Sequence, residues 1–407
     1  MLTVFHTADW HIGQNFYGYD RKDEHLFFFE WLKQQTKELC PDVLLIAGDI
    51  FDSPNPSAES QKIYYRFLRE ISSENRGLQI IIVAGNHDSA ARLEAPNPLL
   101  EEMNITVKGV IKRTPDGAID CRDLLIPIAK GGEIVAWCIA VPYLRQGDYP
   151  PAENHVEGIE LMYRELYAEL EKIRMPAQAI IVTGHLQAKD AQLSDKDRSE
   201  RAIIGGLECV PANIFDCNDT GYVALGHLHR HQTVAGHENI QYAGSPLPMS
   251  FAEKNYRQGI NLVKFNKNMI DTVDRIHFEP PVGLLSLPFE PKPLNEVLLE
   301  IGKLPDGEIT AHSPYLEIKM LITEPQPSIR FHIENALKGK SVKLACIVSQ
   351  RLYSEEKNTK TTGYNDLQEM DPVEIAKIAF RSQYNYDMPE NLENLLQSVI
   401  REVNSYN

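Results

Sequence analysis

Short apolar runs recur through the first 270 or so residues, and each closes on a glycine or a polar cluster. Leu2–Thr7, Val43–Ala47, Ile80–Ala84, Ile180–Thr183 and Gly221–Leu225 are such runs. They are too short for helices and too uniformly apolar for half-exposed strands, so they predict buried strands. Between them the period changes. Glu24–Lys37 carries Leu26, Phe27, Phe29 and Leu32, and Ala58–Ser72 carries Ile63, Tyr64, Phe67, Leu68 and Ile71 at near-helical spacing. A helix between two buried strands is the βαβ signature of an α/β layered domain. Ile134–Val141 extends the strand set, Tyr163–Ile173 predicts a further helix, and Ile240–Ala243 and Gly259–Phe265 predict closing strands. The charged stretch Lys189–Arg201 predicts an exposed loop.

The texture changes near 280, where Pro280, Pro281, Pro288, Pro291 and Pro293 crowd together. Such crowding predicts a domain boundary. Beyond it, Leu294–Ile301 (helix), Tyr315–Ile322 (strand), Ser328–Leu337 (helix) and Val342–Val348 (strand) predict a small α+β unit. Residues 349–370 are polar and aperiodic and predict a linker. Asp371-Pro372-Val373-Glu374 then combines an N-cap, proline at N1 and glutamate at N3, so a helix follows to about Phe380. Pro389 opens another, striped by Leu392, Leu395, Leu396, Val399, Ile400 and Val403. That stripe has two outlets: its own domain, or the groove of a partner. The expected organisation is 1–275, 283–348, a linker at 349–370, and a helical element at 371–407.

With 407 residues the chain exceeds one comfortable core. Its 43% hydrophobic and 24% charged content is that of an ordinary globular protein. Six cysteines show no C-x-x-C spacing and read as reduced packing residues of a cytoplasmic protein. The chain opens almost at once on a strand, so no signal peptide is expected, and no apolar run is long enough for a membrane span. The net charge of −16 argues against gripping nucleic acid by bulk electrostatics, though not against a phosphodiester substrate at a cationic site. No P-loop motif occurs, so any ATP dependence would come from another polypeptide.

The breaks after the strands hold the chemistry. Asp9 and His11, Asp49, Asn86 with His87 and Asp88, His185, and His227 with His229 all follow a run directly or within a few residues. Singly, each has a bland explanation: an aspartate after glycine caps a turn, and a lone histidine is commonly a satisfied core residue. Together, five clusters at the ends of five strands converge on one sheet edge. Carboxylate, imidazole and amide oxygen suit divalent Mn, Fe, Zn or Mg. Two adjacent ions sharing one carboxylate can clamp a phosphate. The basic residues Arg330, Lys338, Lys340 and Lys343 are candidate DNA contacts from the small unit, or equally a solvated face. His155, His231 and His237 have no evident partner set.

Thr7–Gln14, Gly48–Asp52, Gly85–Ser89 with Arg92-Leu93, Gly226–His229 and Tyr242–Pro246 resemble the motifs of the calcineurin-like metallophosphoesterases, and within them the nuclease subunits of bacterial SbcC–SbcD complexes. The resemblance covers about residues 1–265; beyond 280 only the order of domains matches. It implies a β-sandwich flanked by helices, a small capping domain and a C-terminal helical element. It implies two metal ions, most suitably Mn. Asp49 would bridge them, Asp9, His11 and His229 would complete one, and Asn86, His185 and His227 the other. His87 would act near the scissile phosphate, with Asp88 orienting its ring. Some relatives carry a second histidine where this chain has Asp52, which leaves the role of Asp52 open. The implied activity is a DNA nuclease, exonucleolytic on duplex ends and endonucleolytic on single strands and hairpins. It would serve repair, recombination and replication in the cytoplasm, at the nucleoid. Implied partners are DNA and an SMC-type ATPase resembling SbcC, in a heterotetramer built on a homodimer of this chain. The alternatives are a small-molecule or nucleotide phosphodiesterase with the same metal site, or a DNA-tethering scaffold.

Overall fold

The computed structural model describes residues 1–189, 191–192, 209–215, 220–234, 236–322, 328–351 and 372–384, with positions 387–389, 392–393 and 396. The chain divides into two compact units, Met1–Arg351 and Leu352–Asn407.

The first unit is built on two six-stranded sheets. One runs in the order β14 (Met269–His277), β13 (Gly259–Asn266), β1 (Leu2–Thr7), β4 (Val43–Ala47), β5 (Gln79–Val83), β6 (Ile105–Lys108). The other runs β11 (Gln232–Val234), β12 (His237–Tyr242), β10 (Thr220–Gly226), β9 (Ala179–His185), β8 (Glu133–Val141), β7 (Leu125–Lys130). β1, β4, β5 and β6 are parallel to one another, as are β8, β9, β10 and β12. Alternation along each strand sorts the side chains. Val43 and Leu45 of β4 face Ala179 and Ile181 of β9 in the core between the sheets, where alanines at 136, 140 and 224 also pack. Leu44 and Ile46 turn outward instead, against the helices α1 (Lys22–Leu39) and α2 (Ala58–Glu74). Ile180 and Val182 of β9 turn outward against α5 (His155–Leu170), the helix that follows two short ones, α3 (Ala90–Glu94) and α4 (Asn97–Leu100).

The helices form where their caps allow. Ser57 accepts from the Ser60 N–H at the start of α2, and α1 ends at Cys40 in the left-handed region, φ 47°. α5 begins eight residues before the expected Tyr163. Asn154 caps it through the Glu157 N–H, and Gly158 leaves room where a Cβ would collide with the Tyr149 ring.

The proline-rich stretch near 280 carries a strand, β15 (Leu284–Lys292), and is not merely a boundary. β15 is an edge strand of a parallel three-stranded sheet with β16 (Tyr315–Ile322) and β17 (Lys343–Arg351). An edge tolerates Pro288 and Pro291 because one side of the strand has no ladder to complete, and the register slips between Leu287 and Lys292. α6 (Leu294–Gly302) and α7 (Ile329–Ala336) cover this sheet through Val297, Ile301 and Ile333. A hairpin of β2 (Asn15–Phe16) and β3 (Tyr19–Asp20) meets the small sheet. Phe16, Phe251, Val282 and Tyr315 cluster there, and the Tyr315 hydroxyl donates to Glu24 Oε1 at 2.8 Å.

The expected linker begins later than 349, since β17 continues to Arg351; positions 352–370 lie outside the described residues. In the second unit, α8 (Pro372–Tyr384) starts at the proline expected to open it. The Pro389 carbonyl accepts from the Leu392 and Glu393 N–H groups. Most of the charged stretch 189–201 also lies outside the described residues.

Candidate metal centre

Parallel strands end together, so the loops after β1, β4, β5, β9 and β10 meet at one edge of the sandwich. The backbone there is strained. Asp9, His11, Asp49 and His227 have φ of 55°, 47°, 50° and 103°, a region that costs a non-glycine residue about 1–3 kcal/mol. Cross-loop bonds hold it: the Asp9 N–H donates to Gly48 O and the His11 N–H to Asp49 O, each at 3.0 Å. Glycine is required at 48 and 226, because a Cβ would collide with the His185 ring at the first and with the Ala47 carbonyl at the second. Both close approaches let the edges of the two sheets converge.

The seven candidate ligands gather in one cluster. Asp49 Oδ2 lies 3.6 Å from His11 Nε2 and 3.4 Å from His185 Nε2, between two groups of side chains. On one side Asp9, His11 and His229 bring their ligand atoms within 4.8 Å of one another. On the other, Asn86 Oδ1 lies 2.9 Å from His185 Nε2 and 3.1 Å from His227 Nδ1. The His185 Nδ1–H donates to the Ala47 carbonyl at 2.8 Å, which fixes the tautomer and leaves a lone pair on Nε2. That lone pair faces two further acceptors, Asn86 Oδ1 and Asp49 Oδ2, and only a proton or a cation satisfies all three.

The electrostatics express the same need. Burial, ahead of its neighbours, pushes the Asp9 carboxyl up to about 7. Burial works against charge on Asp49 as well, but His185 and His11 outweigh it and hold that carboxyl below the usual range. Burial opposes protonation of His185, yet Asp49 raises its ring to about 9, while burial lowers His227 to about 3. Asp9 Oδ2 and His11 Nε2 are buried with no hydrogen-bond partner among the described residues. A buried polar atom without a partner is costly; a divalent cation on the Asp9–His11–His229 side would satisfy both, and one on the other side would satisfy the facing acceptors of His185, Asn86 and Asp49. The residues fit two ions.

One expected role changes, and Asp52, whose role was open, gains contacts. Asp88 does not orient His87: its carboxylate is turned inward, accepting from the backbone N–H groups of Ile50, Phe51 and Gly85 at 3.1, 3.0 and 2.9 Å. It braces the two loops that carry Asp49 and Asn86. The His87 ring is held by the backbone of Asp52, whose carbonyl accepts the Nδ1–H at 2.9 Å, leaving Nε2 without this bond. The Asp52 carboxylate lies 3.4 Å from His11 Nδ1. Its side chain therefore supports a candidate ligand while its carbonyl supports His87.

Glu253 was not foreseen from the sequence. This fully buried carboxylate lies 3.0 Å from His229 Nδ1 through Oε1 and accepts from the Met249 N–H through Oε2. A carboxylate behind a ligand histidine fixes its tautomer and raises its basicity. No local pattern marks Glu253, since its histidine partner stands well before it in the chain.

The expected DNA contacts are not brought together. Lys340 donates to the Gly302 and Leu304 carbonyls, and the Lys343 ammonium to the Ala311 carbonyl, so both are engaged in holding the small unit. Arg330 pairs with Glu334 at 2.7 Å on the surface of α7, and Lys338 is exposed. Of the expected partner-binding stripe, Leu392 is exposed and Leu396 partly buried; Leu395, Val399, Ile400 and Val403 lie outside the described residues.

The calcineurin-like phosphoesterase family matches residues 2–231, which holds all seven ligands, and a family described as the type 5 capsule protein repressor C-terminal domain matches 280–384. The SbcD subunit of the nuclease SbcCD of Rhodobacter capsulatus is 36% identical over 86% of this chain and 88% of its own length. The chain belongs to the calcineurin-like phosphoesterases, in the SbcD branch. The corresponding SbcCD nuclease subunit of Escherichia coli K12 is 32% identical over 68% of each chain, and that of Bacillus subtilis 30% identical over 64% of this chain and 66% of its own. Membership of this phosphoesterase family implies divalent metal ions, and the clustered side chains form groups that could hold them. No helix among the described residues of this SbcD-family chain is long and apolar enough to cross a membrane.

Proposed function

We propose that the chain is the DNA-cutting subunit of a two-component nuclease, a phosphodiesterase that uses two Mn ions. The observation that carries this is the position of Asp49 Oδ2, 3.6 and 3.4 Å from histidine nitrogens of two separate ligand groups. In this reading Asp49 would serve both ions, Asp9, His11 and His229 would hold one, and Asn86, His185 and His227 the other. Four imidazoles favour Mn over Mg, which prefers oxygen ligands and retained water. When bound, the ions supply positive charge to the phosphate and acidify the attacking water.

The chain's own residues do the rest. Asp52 O fixes the His87 ring so that Nε2 meets the phosphate region. There an imidazole can donate a proton to the leaving oxygen or a hydrogen bond to developing charge. Glu253, Asp52 and the Ala47 carbonyl hold His229, His11 and His185 in register. Asp88 keeps the loops together.

The proposed substrates are duplex ends, cut exonucleolytically, and single strands and hairpins, cut internally. Residues 1–275 form the nuclease domain in this reading, 283–351 a cap, 352–370 a linker and 371–407 the element that docks on an SbcC-like ATPase. The proposed assembly is a heterotetramer containing two copies of this chain, acting in the cytoplasm at the nucleoid. His87→Ala tests the mechanism: DNA cleavage should be lost while two metal ions per chain remain bound. Cleavage near the wild-type rate with full metal content would remove His87 from the chemistry.

A further inference from the structure

The loop after β8, residues 142–154, leaves the sandwich at the same edge as the metal ligands, because β8 runs parallel to β9 and ends beside it. A small cavity of about 20 Å³ lies between His185 and His227 on one side and Tyr143, Leu144 and His155 on the other. The same three residues also line an open cleft of about 680 Å³ that continues along the loop. Through these shared residues the open cleft begins beside the metal centre.

The composition of that cleft is unlike the rest of the chain. The net charge of the protein is −16, yet the cleft is lined by Arg145 and by Arg113, which holds the Gly117 and Gly147 carbonyls, against the single acidic residue Glu153. Arg145 lies above the Tyr143 ring, its guanidinium carbon 5.3 Å from the ring centroid. Its Nη2–H reaches the carbonyl of Asn86, the residue whose side chain faces both His185 and His227, at 3.5 Å. Tyr143 itself stands edge-on to the His185 ring, centroids 6.3 Å apart. Tyr149 lies further along the cleft, edge-on to His155. The Arg145 backbone N–H donates to Asp148 Oδ2, which takes up that carboxylate within the turn.

Cations interleaved with aromatic faces, along a groove that starts at a phosphodiester-cleaving centre, are the chemistry of a single nucleic-acid strand. Arginine takes the backbone phosphates, and the rings offer stacking surfaces that accept any base. We propose that the Tyr143–His155 cleft is the binding groove for one unpaired DNA strand running to the metal centre, with Arg145 holding a phosphate beside the one that is cut. This rests on the nuclease reading above and adds the path of the strand. Duplex does not suit the groove in the same way, because paired bases hide their faces in the stack.

Binding tests this without cleavage. The full chain, kept in chelator, is titrated with a fluorescein-labelled oligothymidylate over a salt series and followed by anisotropy. Arg145→Gln should weaken binding about tenfold at low salt and flatten the slope of log affinity against log salt by about 0.7, the signature of one lost phosphate contact on a single strand. Gln146→Glu adds a negative charge to the groove at an exposed position and should also weaken binding; it decides the matter if Arg145→Gln lowers the melting temperature. Wild-type affinity and slope in both variants overturn the groove, as does a loss confined to blunt duplex. Wild-type chain with Mn restored is assayed for cleavage in parallel. No cleavage there counts against the nuclease reading, while the binding arm still reports on the groove.

Discussion

His229 shows how much of the centre rests on a side chain outside the ligand motifs. Its Nδ1 is held by the buried Glu253 carboxylate. Glu253→Gln keeps the shape but removes the charge behind the ring. Losing such a support typically costs about ten- to a hundredfold in metal affinity, so one of the two ions should bind weakly in this variant while the other is retained. Competition with a metal-sensitive dye reads this directly; two ions held as tightly as in wild type would make Glu253 a packing residue only. The ligands themselves are legible in the sequence because each follows a strand and a break. Their supports are not. Ala47 O, the Asp52 carboxylate and Glu253 act through a backbone carbonyl or contacts distant in the chain, which leave no local pattern. Asp88 misleads for a related reason: its place beside His87 in sequence says nothing of the three backbone amides its carboxylate meets across the fold.

The strands that bear ligands are legible because they are buried on both faces and read as continuous apolar runs. Ile81 of β5 is fully buried between the sheets. Ile81→Ala should lower stability by about 2–5 kcal/mol, the range for deleting a large aliphatic side chain from a packed core. Denaturant unfolding measures this, and a change under the low end of that range would mean the two sheets close over the gap. Edge strands are harder to see. Met269–His277 alternates exposed and partly buried positions with charges at 271, 274 and 275, and Leu284–Lys292 carries two prolines. Neither has the uniform apolar run that marks a central strand, because an edge requires neither full burial nor a complete ladder. The apolar positions of α5 place its start too late, because its first turn is set by the Asn154 cap and by room beside Tyr149.

The first unit carries its own cores, between the sheets, under the helices of each sheet and within the small sheet. Removing residues 371–407 should therefore leave a folded chain with its metal content intact and abolish co-purification with an SbcC-like ATPase. Wild-type stoichiometry with that ATPase would put the anchor elsewhere, and insolubility of the truncated chain would mean the helices complete its own fold. At the largest scale the central proposal is that one carboxylate, Asp49, serves two ions in a DNA-cutting site. The direct test is metal content of the full chain by mass spectrometry, after chelation and reloading with Mn, for wild type and Asp49→Ala, with DNA cleavage assayed on the same samples. Wild type should hold two Mn per chain and cut DNA in a way that chelator abolishes and Mn restores. Asp49→Ala should lose metal from both positions, and cleavage with it. Equal metal content in the two proteins, or wild-type cleavage that persists in chelator, would contradict a shared bridge.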